Sequence, residues 1–416
     1  LGEYEPLVNM RAGIANVLDY DSPSAAIAAL SSGGTLYFPP GFVLSEALVL
    51  TKPMKVLAYG AQVSGAGVEV ASDDVKVCGI EVTGSPNFGL YSKYNRTALV
   101  DCTVIDSANI GLFVETPSSA SADITDVDIS GCVVDRSNLS AASIAEGGIK
   151  VHGDPAGPHA VIGHRIRGNV VRMPYAPTDS SSICIEVYGG APGSAIGGNT
   201  TFGGYMGVSM DRSSHSACVG NVCYTPLAIG IEMARTAYCS TTGNSIFGDG
   251  DLEKGITCTN TDPDNNVIAG NTIAGVQKRG IQLQGAENIA VSGNVIVVDR
   301  ATGAEYGIEV ASCDGVTVSG NMLVGGASAL KAVMVNKSSS VAIVGNTLKD
   351  WTENGVMVFG DAAVTLDYLT IDANVFDNCN VHYQEQLSGG AALGTHNYVR
   401  VPLHNSIYTA SNVTTD

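Results

Sequence analysis

"VTVSGN" at residues 316–321 and "VAIVGN" at 341–346 are one phrase written twice. In both, apolar residues alternate with small or polar ones at a period of two, and the phrase ends on Gly-Asn. A helix would need apolar residues at a period of 3.6, so the alternation and the β-branched content predict strands. The Gly-Asn pair recurs, ending at Asn169, Asn199, Asn221, Asn244, Asn271, Asn294, Asn321 and Asn346, with an Ala-Asn at Asn374, at intervals of 22 to 30 residues. A second phrase opens on Gly and an apolar residue, as in "GIQLQG", "GIEVAS" and "GVMVFG". The repeating unit therefore reads strand, Asn turn, strand, loop, strand, loop. Each unit predicts one coil of an all-β solenoid whose equivalent strands stack about 4.8 Å apart. The asparagines are expected to form a structural hydrogen-bonding ladder along one bend.

Composition agrees with many short strands. Of 416 residues 50 are glycine, 45% are hydrophobic and only 15% are charged. With 21 Lys and Arg against 40 Asp and Glu, the net charge of −19 argues against a general nucleic-acid or anionic-membrane binder. No apolar run approaches the roughly 18 to 20 residues of a membrane span. The chain opens on Leu1, which reads as a processed or trimmed start. Ten cysteines are scattered without a CxxC pair or zinc spacing and read as buried free thiols.

Ahead of the coils, "DSPSAAIAALSS" offers Ser22 as an N-cap and Pro23 as the first residue of a short helix that would plug the first coil. The expected organisation is an N-terminal segment and capping helix over 1–35, a parallel β-helix over 36–385 and a C-terminal cap or tail over 386–416. The tail, which includes "YVRVPLHNSIYTASNVTTD", abandons the repeat.

The helix, then "GGTLYFPPG" at 33–41, then V-x-V-x-G-N-x-I and G-I-x-V coils, resembles the pectate-lyase-like right-handed parallel β-helices, especially the polysaccharide depolymerases of phage tailspikes. The resemblance covers roughly residues 20–385. It implies an extracellular protein, secreted or virion-associated, that handles a polysaccharide on the G-I-x-V sheet, and a homotrimer in the tailspike case. The family includes hydrolases, uronate lyases and epimerases, so the fold does not choose a reaction. "YGIEVAS" at 306–312 keeps only the opening of the Y-G-x-D-P-H-D signature of alginate epimerases.

Aligned on Gly-apolar, the third position of successive strands gives a column Tyr91, Phe113, Lys150, Glu186, Ser209, Glu232, Thr257, Gln282, Glu309. The fifth gives Lys93, Glu115, His152, Tyr188, Asp211, Ala234, Thr259, Gln284, Ala311, with Arg212 and Arg235 one column further. Both positions point outward, so these side chains are expected to face solvent. Ionisable groups concentrate in the four coils from 148 to 235, with Asp154 at the border, while later coils turn to neutral amides and hydroxyls.

Glycosidic hydrolysis needs two carboxyl groups, about 5 to 5.5 Å apart for retention and about 6.5 to 9.5 Å for inversion. Glu186 and Glu232 are two coils apart, about 9.6 Å, with Asp211 diagonal to both at about 8 Å. Glu186, kept ionised by Lys150, would be the base, against Glu232 or Asp211 as acid. That makes a glycoside hydrolase the leading reading. Substrate contacts would come from Lys150, His152, Asp154, Tyr188, Arg212, Arg235, Phe113, Tyr91 and Gln282. The alternative is β-elimination on a uronate glycan, for which Lys150, His152, Tyr188, Arg212 and Arg235 supply bases and positive charge. A second alternative is a noncatalytic carbohydrate-binding spike. None of these requires a cofactor; calcium has candidate ligands in Asp249, Asp251 and Glu253 and in Asp262 and Asp264, clusters that also suit solvated turns.

Overall fold

A computed structural model describes residues 13–401 apart from 117–121, 141–146, 155–158, 176, 178–179, 261–262, 299–304, 361–364, 388–391 and 394–396. The described strands fall into one sheet of sixteen strands, two of fourteen and two small pairs, and every strand in the three large sheets pairs in parallel with its equivalent one coil away. This is the expected parallel β-helix. The helix Pro23–Ala29 closes the N-terminal end: Ser22 Oγ accepts from Ala25 N at 3.1 Å, and Ala26 and Ile27 face the interior.

Period-two alternation explains the core. Val316 and Val318 are fully buried while Thr317 between them is exposed. Along the sheet made from the G-I-x-V strands, Val208, Ile231, Ile256, Ile281, Ile308 and Val333 pair coil to coil and are fully buried. Each such side chain contributes about 1.5–3 kcal/mol of burial, and stacking makes the contribution continuous along the axis. All ten cysteines are free and buried.

The asparagines form the expected ladder. Asn244 donates from its backbone N and from Nδ2 to Asn271 Oδ1, at 2.9 and 3.0 Å, and Asn271 repeats both bonds onto Asn294 Oδ1 at 2.9 Å. Nδ2 of each also donates to a strand carbonyl of the preceding coil, Cys218 O for Asn244 and Thr241 O for Asn271. One side chain thus satisfies the backbone of its own bend and of both neighbours, where unsatisfied buried groups would cost about 1–3 kcal/mol each. The pattern runs from Asn169 through Asn374. The preceding glycines hold the left-handed backbone this turn requires, with φ +63° at Gly243 and Gly270.

The glycine of G-I-x-V has a different cause. A Cβ at Gly230 would lie 2.5 Å from Ile246 Cγ2 and 2.6 Å from Gly255 O of the next coil. The chain corner is packed so tightly there that only glycine fits.

Candidate active site

The G-I-x-V sheet carries the site. Its observed pairing places Phe113 beside Lys150, Lys150 beside Glu186, Glu186 beside Ser209 and Ser209 beside Glu232. The second column pairs Glu115 with His152, His152 with Tyr188, and Tyr188 with Asp211. The register read from Gly-apolar is therefore the register of the sheet.

Lys150 Nζ and His152 Nε2 both reach Glu186 Oε2, at 2.7 and 2.8 Å. Burial raises the Glu186 carboxyl, but the His152 hydrogen bond and the Lys150 charge outweigh it and hold the group down at about 2. The His152 ring stands edge-on to Phe113 at 5.4 Å and lies 5.3 Å from Tyr188, and the Arg212 guanidinium sits 5.9 Å over the Tyr188 ring. A cavity of about 280 Å³ opens onto Lys150, His152, Glu186 and Tyr188, walled by Ser180 and Ser181.

Farther along, Ser209 Oγ donates to Glu232 Oε2 at 2.7 Å. Burial raises the Glu232 carboxyl; Ser209 pulls it back, and the charges of Asp211 and Glu186 push it up again. Arg235 clamps Asp211 with two guanidinium nitrogens, Nε at 2.8 Å from Oδ1 and Nη2 on Oδ2. Two carboxyl groups of one column thus sit in opposite environments, one ionised and one favouring its proton.

The structure corrects the expected exposure. Lys150 is only 4% exposed, Glu186 9%, Asp211 8%, Gln282 8% and Phe113 6%, while Glu232 is partly buried. Pointing away from the core does not mean meeting water here: each side chain has a neighbour one coil spacing away on either side, and ion pairs draw the long ones flat against the sheet.

Other candidates are placed less centrally. Tyr91 donates its hydroxyl to Glu115 and packs on Phe113 at 5.7 Å. Asp154 lies two residues beyond the strand end, partly buried. Gln282 Nε2 donates to Glu309 Oε2 at 2.9 Å, two coils past Glu232. The later coils are not neutral throughout. Arg279 pairs with Glu305 at 2.9 Å and with Glu309 at 2.5 Å, and stacks under Tyr306. Alternation alone would turn Arg279 inward, but as the first residue of its strand it stays partly exposed. Arg136 was also missed: it is fully buried and donates to Gly147 O at 2.8 Å and Ala108 O at 3.0 Å, bracing the start of the Lys150 strand. Its only sequence signal is a charge directly after the apolar strand "VVD".

Of the calcium candidates, Asp249 and Asp251 accept from the Tyr175 hydroxyl, Glu253 pairs with Lys278 at 2.7 Å, and Asp264 accepts from Glu287 N at 3.0 Å. Asp262 lies outside the described residues, as does the tail from 402. Among the described residues no group of three His, Cys, Asp or Glu side chains converges.

Solved structures with this fold include a family 6 alginate lyase in complex with a trisaccharide, at 15% identity and TM-score 0.50 over 79% of this chain and 85% of that one. A mannuronic-acid-specific family 6 polysaccharide lyase from human gut microbiota matches at 11% identity and TM-score 0.52 over 84% and 86%. The surface adhesin PfbA of Streptococcus pneumoniae matches at 12% identity and TM-score 0.52 over 84% and 93%. These likenesses bear out the pectate-lyase-like β-helix. No curated protein sequence matches the chain. The family described as "Periplasmic copper-binding protein (NosD)" matches residues 163–303 and 277–391. Together the two matches span more than half of the chain, which therefore belongs to the NosD family.

Proposed function

We propose that the protein acts on an acidic polysaccharide laid across the G-I-x-V sheet and cleaves it by β-elimination. The observation that carries the reading is the Lys150–Glu186–His152 cluster opening into a cavity beside Tyr188 and Arg212. Glu186 is anionic, so the His152 nitrogen facing it must donate. In the neutral imidazole Nδ1 then carries the lone pair, which makes His152 a carboxylate-oriented base. The exposed Arg212 would neutralise the uronate carboxylate and so acidify the proton on the adjacent carbon. His152 takes that proton, the bond from the β-carbon to the glycosidic oxygen breaks, and Tyr188 returns a proton to the departing oxygen. The product carries a new carbon–carbon double bond. Two solved structures of the same fold are described as polysaccharide lyases, which supports this choice over the hydrolysis expected from the carboxylates.

Hydrolysis is the second reading, favoured by one observation: Glu186 is held ionised while Glu232 is held towards its protonated form. Their spacing of two coils suits inversion. Against it, Lys150 and His152 both hold Oε2 of Glu186, which leaves only one oxygen for a base.

Copper, named in the family's description, does not fit the described residues of this chain, among which no three His, Cys, Asp or Glu side chains converge. Its thiols point into the coil interior, where burial pushes Cys223 up to about 11 and Cys258 up to about 12, so they stay protonated rather than becoming ligands. The family description and the pneumococcal adhesin both support a place outside the cytoplasm.

The test is incubation with a panel of neutral and acidic polysaccharides, following reducing ends and the ultraviolet absorbance of the double bond. Elimination raises both, and only on uronate polymers. Reducing ends without absorbance would replace this reading with hydrolysis. Binding without either signal would leave a noncatalytic spike.

A further inference from the structure

The same sheet carries a second cavity, of about 370 Å³, lined by Glu69, Ser85, Asn87, Phe88 and Tyr91. Glu69 and Tyr91 belong to the column of Lys150 and Glu186: the pairing runs Glu69, Tyr91, Phe113, Lys150, Glu186 without a break. Tyr91 therefore stands three coils, about 14 Å, from Glu186 along the axis. Both cavities are bounded on the same side by the turn leading into the sheet, residues 65–67 and 85–88 here and Ser180–Ser181 there. They lie on the same face of one sheet, three coils apart.

Their chemistry differs. Around Lys150 the exposed cation is Arg212, with the partly buried His152 beside it. At the upstream station Phe88 packs against Tyr91 and Phe113, with ring centres 5.1 Å from each, and the wall is mostly apolar. Its one acidic lining residue is Glu69, and the Tyr91 hydroxyl is already given to Glu115. Lys93 lies 5.9 Å over the Tyr91 ring, outside the lining. A uronate carboxylate placed there would meet a like charge and a wall of low polarity. A neutral sugar would stack its C–H face on the rings and bond its hydroxyls to Asn87 and Glu69.

We infer that the upstream cavity is a subsite for a neutral sugar unit of the glycan whose uronate unit sits at Lys150 and Arg212. Resting on the reading of this sheet as a glycan groove, it makes the substrate a mixed polymer of uronate and neutral sugars rather than a homopolyuronate.

The experiment is titration calorimetry of the full chain carrying Tyr188→Phe, to slow turnover, with two hexasaccharides: one all uronate, one alternating uronate and neutral hexose. The alternating oligosaccharide is expected to bind roughly tenfold more tightly. Adding Phe88→Ala should erase the preference by weakening the alternating chain more than the all-uronate chain. Glu69→Gln should narrow the preference by improving all-uronate binding, and it needs no repacking of the aromatic wall. Equal affinities, no binding of the alternating chain, or a preference that survives both substitutions would overturn the inference. Wild-type absorbance assays on the same two oligosaccharides separate the two claims. Equal elimination on both refutes the mixed-polymer claim alone; preferential binding without elimination refutes only the lyase reading.

Discussion

Lys150 and Glu186 face each other from adjacent coils, Nζ 2.7 Å from Oε2, with Lys150 only 4% exposed. A buried pair of this kind is costly to break from one side, because the survivor keeps its charge in a desolvated place after losing the opposite charge. Glu186→Gln should therefore destabilise the protein by about 3 kcal/mol, rather than being the harmless surface change its outward position suggests. The double change Lys150→Met with Glu186→Leu should recover most of that loss. Urea unfolding of the three variants checks it.

The two carboxyl groups should respond to pH with opposite signs. Glu186 titrates near 2 in the folded protein against an ordinary value of 4.5. Its stabilisation is thus present above 4.5 and disappears as pH falls towards 2. The deficit of Glu186→Gln relative to wild type should shrink over that window. Glu232 is shifted upward, so stability falls as pH rises from 4.5 through its folded value and stays reduced above it. Glu232→Gln should match or exceed wild-type stability at neutral pH and lose that advantage below 4.5. Melting temperature against pH reads both.

Activity separates the two reactions residue by residue. On a uronate polysaccharide His152→Gln should lower kcat by roughly a hundredfold or more. Arg212→Ala should lower kcat and raise KM together, and Glu232→Gln should leave turnover nearly intact. Loss of turnover in Glu232→Gln with His152→Gln still active would instead assign catalysis to the carboxylates.

Asn271→Ala should cost several kcal/mol, since it strips partners from both neighbouring coils at about 1–3 kcal/mol for each buried group. The same change at Asn374, a partly buried end of the ladder, should cost less. Denaturant midpoints of the two variants make the comparison.

The glycines should divide similarly. Gly230→Ala forces a methyl to within 2.6 Å of Gly255 O and should prevent soluble expression or lower the melting temperature sharply. Gly243→Ala meets no atom within 4 Å and pays only for its φ of +63°, roughly 1–2 kcal/mol.

Period and register were legible in the residues because they are local properties. "VTVSGN" sets which side chains turn inward, and the Gly-apolar start of each strand aligns Lys150 with Glu186 and His152 with Tyr188. Burial of the outward face was not legible, since it depends on ion pairs such as Lys150–Glu186 that join residues 36 positions apart in sequence but adjacent in space. Arg136 and the serines at 180 and 181 act from turns, where no period announces them. Reaction type was ambiguous for a chemical reason: a histidine bound to a carboxylate is a base for one mechanism, and the same carboxylate is a base for the other.

Each coil of this helix pairs only with the coil before and the coil after, and the asparagine rung repeats that restriction at the bend. Distance along the groove is therefore quantised. A subsite can move towards or away from Glu186 only in steps of about 4.8 Å, by gain or loss of a whole coil, whereas a turn can lengthen without disturbing the register beneath it. Groove length and groove wall are then independent variables: descendants of this chain could change which sugars are gripped by editing turns, and how many are gripped by counting coils.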